Sequence, residues 1–363
     1  MTPPVLARLD QFMAGFAVGD ATSQSALLIR DCLRAMGLVS DLYVDPSRLM
    51  EAGRAECRPL TEYAGGPLDG VIHHFGLWSQ VTDAFCAVSG PRMLYYHNIT
   101  PGSFFRGYDD AVADRLDRSR ARLPELLPRC TALWAVSDYN AQELRAHADG
   151  RPVAVLPLPF NPAVATVAPD PALLRRLRAP VTTILSVGRL APNKRLEELI
   201  RAFAVYHRRH NPCSRLLLVG SDRSAPRYVT YLKWLAHELQ VPNVCFEGFV
   251  WPDALAAYYR LADLYVATSD HEGYCLPLLE AMAHGVPVIA KRTGGMPEAL
   301  GGAGRLYESG SDEPLAAVMH ELVANRAMRS EVLAGQRQRL LVEQRRDLEE
   351  ALKSLLLQVE TGI

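Results

Sequence analysis

The sequence is poor in several things that would settle its chemistry at once. Lysine is scarce: Lys194, Lys233, Lys291 and Lys353 are the only four, against 35 arginines. No G-x-x-x-x-G-K-[ST] phosphate loop occurs, and no G-x-G-x-x-G follows a strand pattern, so neither a P-loop nucleotidase nor a dinucleotide oxidoreductase is indicated. Neither G-x-S-x-G nor H-E-x-x-H occurs; His237-Glu238 and His320-Glu321 lack the second histidine. No two aspartates are separated by a single residue, which removes the Asp-x-Asp pair that could hold a divalent ion for sugar transfer. The seven cysteines, at 32, 57, 86, 130, 213, 245 and 275, are odd in number and form no C-x-x-C, so we expect neither a disulfide framework nor a cysteine-built zinc site. No apolar run is long enough to span a bilayer. Met1-Thr2-Pro3-Pro4 gives no export signal. A cytoplasmic protein is expected. A net charge of −1 offers no bulk basicity for nucleic acid.

What is present is 363 residues, enough for about two domains. Short apolar runs alternate with helical patterns. Strands are expected at Asp41–Val44, Val71–Phe75, Arg92–His97, Ala132–Val136 and Val153–Leu156. A second series follows at Val181–Val187, Arg215–Val219, Asn243–Phe246, Leu264–Ala267 and Pro287–Ala290. Helical patterns such as Ser23–Met36 and Leu196–Arg209 separate them. This alternation predicts an α/β chain of βαβ units with parallel sheets. The series restarts near residue 181, after the proline-rich stretch Pro157-Leu158-Pro159-Phe160-Asn161-Pro162. We expect an N-terminal domain over 1–165, a C-terminal domain over 166–340 and a terminal helical segment over 341–363 that could return across the junction. Ligands of open parallel sheets sit beyond the carboxyl ends of the strands, so the loops there should carry the chemistry.

Two such loops stand out. Ser186-Val187-Gly188-Arg189-Leu190-Ala191-Pro192-Asn193-Lys194-Arg195 puts two cations, Arg189 and Lys194, where they could neutralise a departing diphosphate. Ser269-Asp270-His271-Glu272-Gly273-Tyr274-Cys275-Leu276-Pro277 then runs into a helix carrying Glu280. Gly273 permits close backbone approach, and the amides of Tyr274, Cys275 and Leu276 face the start of that helix. Carboxylates beside an anion site suit a hydroxyl-bearing sugar joined to a phosphate. In the first half, His97 closes a strand, His73 and His74 alternate along another, and Gly19-Asp20 opens the first long helix with Asp20 or Thr22 as its cap. Residues Asp109–Arg129 interleave arginines with leucines, a pattern that could rest on an anionic membrane surface. Over residues 1–165, however, acidic residues slightly outnumber basic ones.

The loops at 188–195 and 269–280, with Gly248-Phe249-Val250, Gly285-Val286-Pro287 and Gly294-Gly295-Met296-Pro297-Glu298, resemble the retaining GT-B glycosyltransferases of family 4, glycosyl transferases group 1. Looser matches are Gly19-Asp20-Ala21, Tyr96-His97-Asn98 and Ala135-Val136-Ser137. The resemblance implies a GT-B fold of two Rossmann-like domains with parallel sheets facing a central cleft. It implies a retaining hexosyltransferase that takes a UDP- or GDP-sugar, needs no cofactor or metal, and builds a surface polysaccharide or another glycoconjugate. Its acceptor would be a glycan or a lipid-linked sugar, and the enzyme could hold to the inner face of the membrane. Catalytic roles would fall to His97, Glu272, Lys194 and Arg189. Donor contacts would come from Gly188, Val250 (to the base), Gly273, Tyr274, Cys275, Leu276 and Glu280 (to the ribose). Gly19 and Asp20 would lie on the acceptor side, although Gly19-Asp20 replaces the family's paired glycines. A sugar-nucleotide epimerase and a non-catalytic nucleotide-sugar-binding module remain as alternatives.

Overall fold

A computed structural model describes residues 6–17, 19–49, 53–308 and 310–361. The N-terminal residues read above for an export signal lie outside the described residues. The chain divides into two compact units. The first takes the chain up to Gly102, Ala111–Phe160 and the chain from Arg346; the second takes Ser103–Asp110 and Asn161–Arg345.

The first unit is built on a parallel sheet of seven strands: β1 (Leu9–Met13), β2 (Leu42–Val44), β3 (Cys57–Pro59), β4 (Gly70–Phe75), β5 (Arg92–Tyr96), β6 (Ala132–Ala135) and β7 (Val153–Val155). Their order is β3-β2-β1-β4-β5-β6-β7. The chain runs outward from β1 in one direction and from β4 in the other, so the switch point lies between these two strands. Phe12, Val71, Phe75, Leu94 and Tyr96 fill the core on their faces. The last helix, Leu348–Thr361, packs on the helix Ala21–Ala35 and buries Leu352, Leu355 and Leu356.

The second unit carries six parallel strands: β8 (Thr182–Val187), β9 (Ser214–Val219), β10 (Val244–Gly248), β11 (Leu264–Ala267), β12 (Val288–Lys291) and β13 (Arg305–Tyr307). Their order is β10-β9-β8-β11-β12-β13, with the switch point between β8 and β11. Leu196–Arg209 is strongly amphipathic and lays Leu199, Ile200 and Phe203 into the core.

Three strands depart from the sequence expectation. The central strand β1 is missing from it because Asp10 and Gln11 interrupt its apolar run. Both are fully buried. Asp10 is held by Arg8 at 2.5 Å and by the amide of Asp41 at 2.9 Å. The other two, β3 and β13, are three-residue sheet edges, too short to show a period. The basic, leucine-bearing segment also reads differently. It is not one helix but Asp110–Ala121, Leu123–Leu126 and a single 3₁₀ turn. Leu123, Leu126 and Leu127 are buried in the core and Leu116 packs against it. These leucines are therefore not a membrane-facing stripe.

Candidate active site

The site in the second unit begins where β8 ends. Gly188 takes φ +144°, and a Cβ there would lie 3.4 Å from Lys194 Nζ. A single 3₁₀ turn, Pro192–Lys194, then brings the chain back, and Arg195 adopts φ +51° to enter the helix Leu196–Arg209. That turn is fastened to the loop after β11. Asn193 Nδ2 donates to the His271 carbonyl at 3.0 Å, and the Asp270 amide donates to the Asn193 carbonyl at 2.9 Å. The Thr268 hydroxyl donates to the Lys194 carbonyl at 2.9 Å.

These clamps put Lys194 against Glu272 as a salt bridge whose side chains are 18% and 12% exposed. Ser269 Oγ donates to the same carboxylate oxygen at 2.7 Å. Burial alone would lower the Lys194 pKa, but the Glu272 charge and hydrogen bond, together with the neighbouring Cys275, outweigh it and the net direction is upward, so the ammonium is fixed. Arg189 lies exposed on the same loop, and it lines one recess together with Gly188, Lys194 and Cys275.

From the far side, the turn after β12 supports the Glu272 backbone. Gly295 donates its amide to the Glu272 carbonyl at 2.9 Å. Gly294 sits at φ +57°, and a Cβ there would come within 2.5 Å of that carbonyl. Only glycine fits such an approach.

The helix Pro277–Ala283 starts with proline at its first turn and is seven residues long. Glu280 lies one turn in. It accepts from the Tyr259 hydroxyl at 2.8 Å, and burial raises its pKa against that bond. Gly273 is half-buried. Tyr274 and Leu276 turn their side chains inward; the Tyr274 hydroxyl meets Arg339 at 3.3 Å. Only their backbone is left for a ligand. Cys275 is 8% exposed at φ +75°, and burial with the nearby Glu272 charge pushes its thiol well above the usual range. Val250 follows β10 between the exposed, edge-to-face rings of Phe249 and Trp251. It lies at the same carboxyl edge of the sheet, two strands away from β8, the strand that leads to Lys194.

In the first unit, Gly19 is exposed at φ +80°. Asp20 caps the helix Ala21–Ala35, accepting from the amide and the hydroxyl of Ser23, each at 3.0 Å. Its carboxylate is thus occupied by the fold. His97 follows β5 and is half-buried. Its Nε2 lies 2.9 Å from His74 Nδ1, and its ring stands edge-on to Tyr95 with centroids 4.4 Å apart. His73 points to the opposite face, between the Phe12 carbonyl at 3.2 Å and Thr82 Oγ1 at 3.0 Å. Burial lowers the His97 pKa to about 3 and that of His73 to about 4.

Sequence reasoning missed the residues that hold the site: Asn193, Thr268 and Ser269 in the second unit, Gln11 and His74 in the first. Asn193 and Ser269 lie inside the two loops singled out above and Thr268 immediately precedes the second, and small polar side chains there are a capping and clamping signal. Lys291, given no context from sequence, is 2% exposed and paired with Glu198 at 2.7 Å and Asp270 at 2.5 Å.

The parallel sheet with a cationic loop and a glutamate-bearing loop meeting at its switch point lies within the segment matched by the model of the glycosyl transferases group 1. That family's model matches residues 176–339. Among similar proteins, a GDP-mannose-dependent alpha-(1-6)-phosphatidylinositol monomannoside mannosyltransferase of Mycobacterium tuberculosis is 31% identical over 206 residues, 53% of this chain and 52% of that protein. An uncharacterised glycosyltransferase of Methanocaldococcus jannaschii is 40% identical over 118 residues, 32% of this chain and 29% of its own. The chain thus spans about half or less of the length of the curated relatives it matches. Among solved structures, a sucrose-phosphate synthase from Thermosynechococcus elongatus is similar with a TM-score of 0.74 and 20% identity, over 98% of this chain and 100% of that one. Anabaena HepE in complex with UDP and glucose is similar with a TM-score of 0.69 and 17% identity, over 98% and 100%. At these identities the likeness shows the fold: that of GT-B glycosyltransferases. No helix among the described residues is long and apolar enough to cross a membrane.

Proposed function

We propose that the protein is a retaining glycosyltransferase that moves a hexosyl group from a nucleotide-sugar donor, a UDP- or GDP-sugar, to a glycan or lipid-linked acceptor. The observation that carries this reading is the convergence of Arg189, Lys194 and Glu272 at the switch point of the second sheet. Arg189 and Lys194 bind the diphosphate and stabilise the charge that grows on it as it leaves, the work a divalent ion does where an Asp-x-Asp pair is present. Gly188 lets phosphate approach the loop. Glu280 takes the ribose hydroxyls, and the backbone at Val250 meets the base. Glu272 and the Gly273–Leu276 backbone hold the sugar, with the Tyr274 and Cys275 side chains directed elsewhere. When phosphate arrives, Lys194 is shared between it and Glu272, which frees carboxylate lone pairs for sugar hydroxyls. His97 accepts from a sugar hydroxyl, and Gly19-Asp20 border the acceptor.

Neither Glu272 nor Glu280 is offered as a nucleophile. Transfer then proceeds on one face of the sugar. The bond from the anomeric carbon to the phosphate oxygen breaks, the acceptor oxygen bonds to that carbon, and the acceptor's proton passes to the departing phosphate. A role in glycoconjugate assembly inside the cell, at the inner face of a membrane, belongs to the same proposal. Its membrane hold would rest on the exposed Arg115 and Arg118, since the neighbouring leucines are buried.

Incubating the protein with a panel of nucleotide-sugars and oligosaccharide or lipid-linked acceptors, with proton NMR of the product, tests this reading. Release of nucleoside diphosphate with an axial-to-axial or equatorial-to-equatorial outcome is expected. Inversion at the anomeric carbon, or a converted sugar nucleotide without any acceptor, would overturn it.

A further inference from the structure

Gln11, His74 and His97 form a chain of hydrogen bonds whose direction is set at one end. Gln11 is fully buried on the central strand β1. Its Nε2 donates to the Ala26 carbonyl at 3.1 Å. A carbonyl oxygen can only accept, so the amide is fixed with Nε2 toward Ala26 and Oε1 toward β4. There Oε1 lies 2.7 Å from His74 Nε2. An amide oxygen also only accepts, so His74 Nε2 carries the proton. His74 is 4% exposed, and both of its ring nitrogens meet neutral partners. Burial holds its pKa well below the ordinary value, so the ring is neutral and Nδ1 is a lone pair. That lone pair lies 2.9 Å from His97 Nε2, which must therefore donate. One proton is then placed on the neutral His97 ring, and its Nδ1 is a bare acceptor. That nitrogen is buried and has no hydrogen-bond partner among the described residues. Leaving an acceptor in this state is costly, and such a group is ordinarily satisfied by a ligand or a water.

We propose that Gln11 and His74 are positioning residues that lock His97 in the Nε2-protonated tautomer, so that its Nδ1 accepts a hydrogen bond from a sugar hydroxyl and cannot donate to a phosphate or carboxylate oxygen. The two strands at the switch point of the first sheet supply the relay, and the neighbouring strand delivers its output. The identity of the hydroxyl rests on the glycosyltransferase reading; the tautomer does not. His97 is thus a polarity filter. It favours a ligand that offers an O–H at this point and disfavours an anion there. It is also too weak a base to carry a proton through the reaction near neutral pH.

The whole protein labelled with ¹⁵N-histidine, observed by long-range proton–nitrogen correlation at pH 7, tests this directly. The His97 signals are assigned by their loss in His97→Asn. Nε2 is expected at the shift of a protonated nitrogen and Nδ1 at that of a bare one. His74→Phe removes the acceptor and should move both His97 shifts toward tautomer averaging. Gln11→Glu should draw a second proton onto His74 and reverse the His97 tautomer. UDP-glucose or GDP-mannose should shift Nδ1 if the hydroxyl is the donor's. Methyl mannoside added with UDP or GDP should do so if it is the acceptor's. UDP or GDP alone should not. A proton on Nδ1 in the unliganded wild-type protein would overturn the relay, even if both variants fail to fold. Unchanged His97 shifts in both folded variants would overturn it too. An Nδ1 signal unmoved by every sugar, while UDP or GDP stabilises the protein against heat, would remove the hydroxyl role. Failure of all nucleotides to bind would count against the donor site of the second unit and leave the tautomer result standing.

Discussion

The two units share a plan and differ in how they hold their functional loops. Each has a parallel sheet with a switch point at its centre, and each places polar side chains there. The second unit uses full charges: Lys194 with Glu272, Arg195 with Asp270, and Lys291 with Glu198 and Asp270. The first uses neutral groups: Gln11, His74 and His97 in line, with His73 sealed on the opposite face. Under the proposed function, the difference matches what each unit would meet. A diphosphate brings charge, and fixed cations can match it. A sugar brings hydroxyls, and a neutral acceptor of set direction can select among them. A charged group buried without a partner is far more costly than a neutral one, so the ionic site needs a carboxylate standing in until its ligand arrives.

The largest expected effect lies in the ionic framework. Lys291→Met leaves Glu198 and Asp270 without their buried cation and should cost roughly 3–5 kcal/mol of stability, read from urea unfolding. A loss under 1 kcal/mol would show that the second unit does not depend on its charges. Next, Lys194→Ala should lower kcat/KM by about 10²–10³-fold, in the range found for removing a stabilising donor, with little change in melting temperature. An unaltered rate would erase the functional contrast between the units.

The neutral side is sharpened by pH. The His73 pKa is lowered from 6.5 to about 4 in the folded state. Between those values the unfolded chain binds more protons, so stability falls as pH drops through the window and levels off below it. At about 1.36 kcal/mol per pH unit the loss is roughly 2 kcal/mol on going from pH 7 to pH 5. Amide exchange of β4, around His73, should report it; a flat profile there would contradict the sealed-histidine account. The smallest effect is chemical. Exposed Cys213 should react with iodoacetamide, whereas Cys275, buried with its thiol pKa raised, should not until the protein unfolds. Mass spectrometry of the native protein distinguishes the two.

Much of this was legible in the sequence, and the illegible part has a common cause. Ten of the thirteen strands could be placed because their apolar runs are bounded by turns, and Arg189, Lys194, Glu272 and Glu280 stood out by charge at the ends of such runs. What could not be read depends on pairing across the sheet. Asp10 and Gln11 look like breakers until Arg8 and His74 are seen to satisfy them. His74 looks like a structural neighbour until its Nδ1 is found on His97. The leucines of 116–127 read as a lipid-facing stripe only while the core they fill is out of view. Gly294 is a motif glycine in the sequence; its need for a missing Cβ appears only beside the Glu272 carbonyl.

Calorimetric and thermal-shift titration of the wild-type protein and Lys194→Ala with UDP and GDP puts the central claim, a diphosphate site at the meeting of the 188–195 and 269–280 loops, to its most direct trial. One of the two nucleotides, at a hundred times its dissociation constant, should stabilise the wild type by about 2.7 kcal/mol and stabilise Lys194→Ala far less. Equal binding to both proteins, or binding of neither nucleotide to the wild type, would contradict the account.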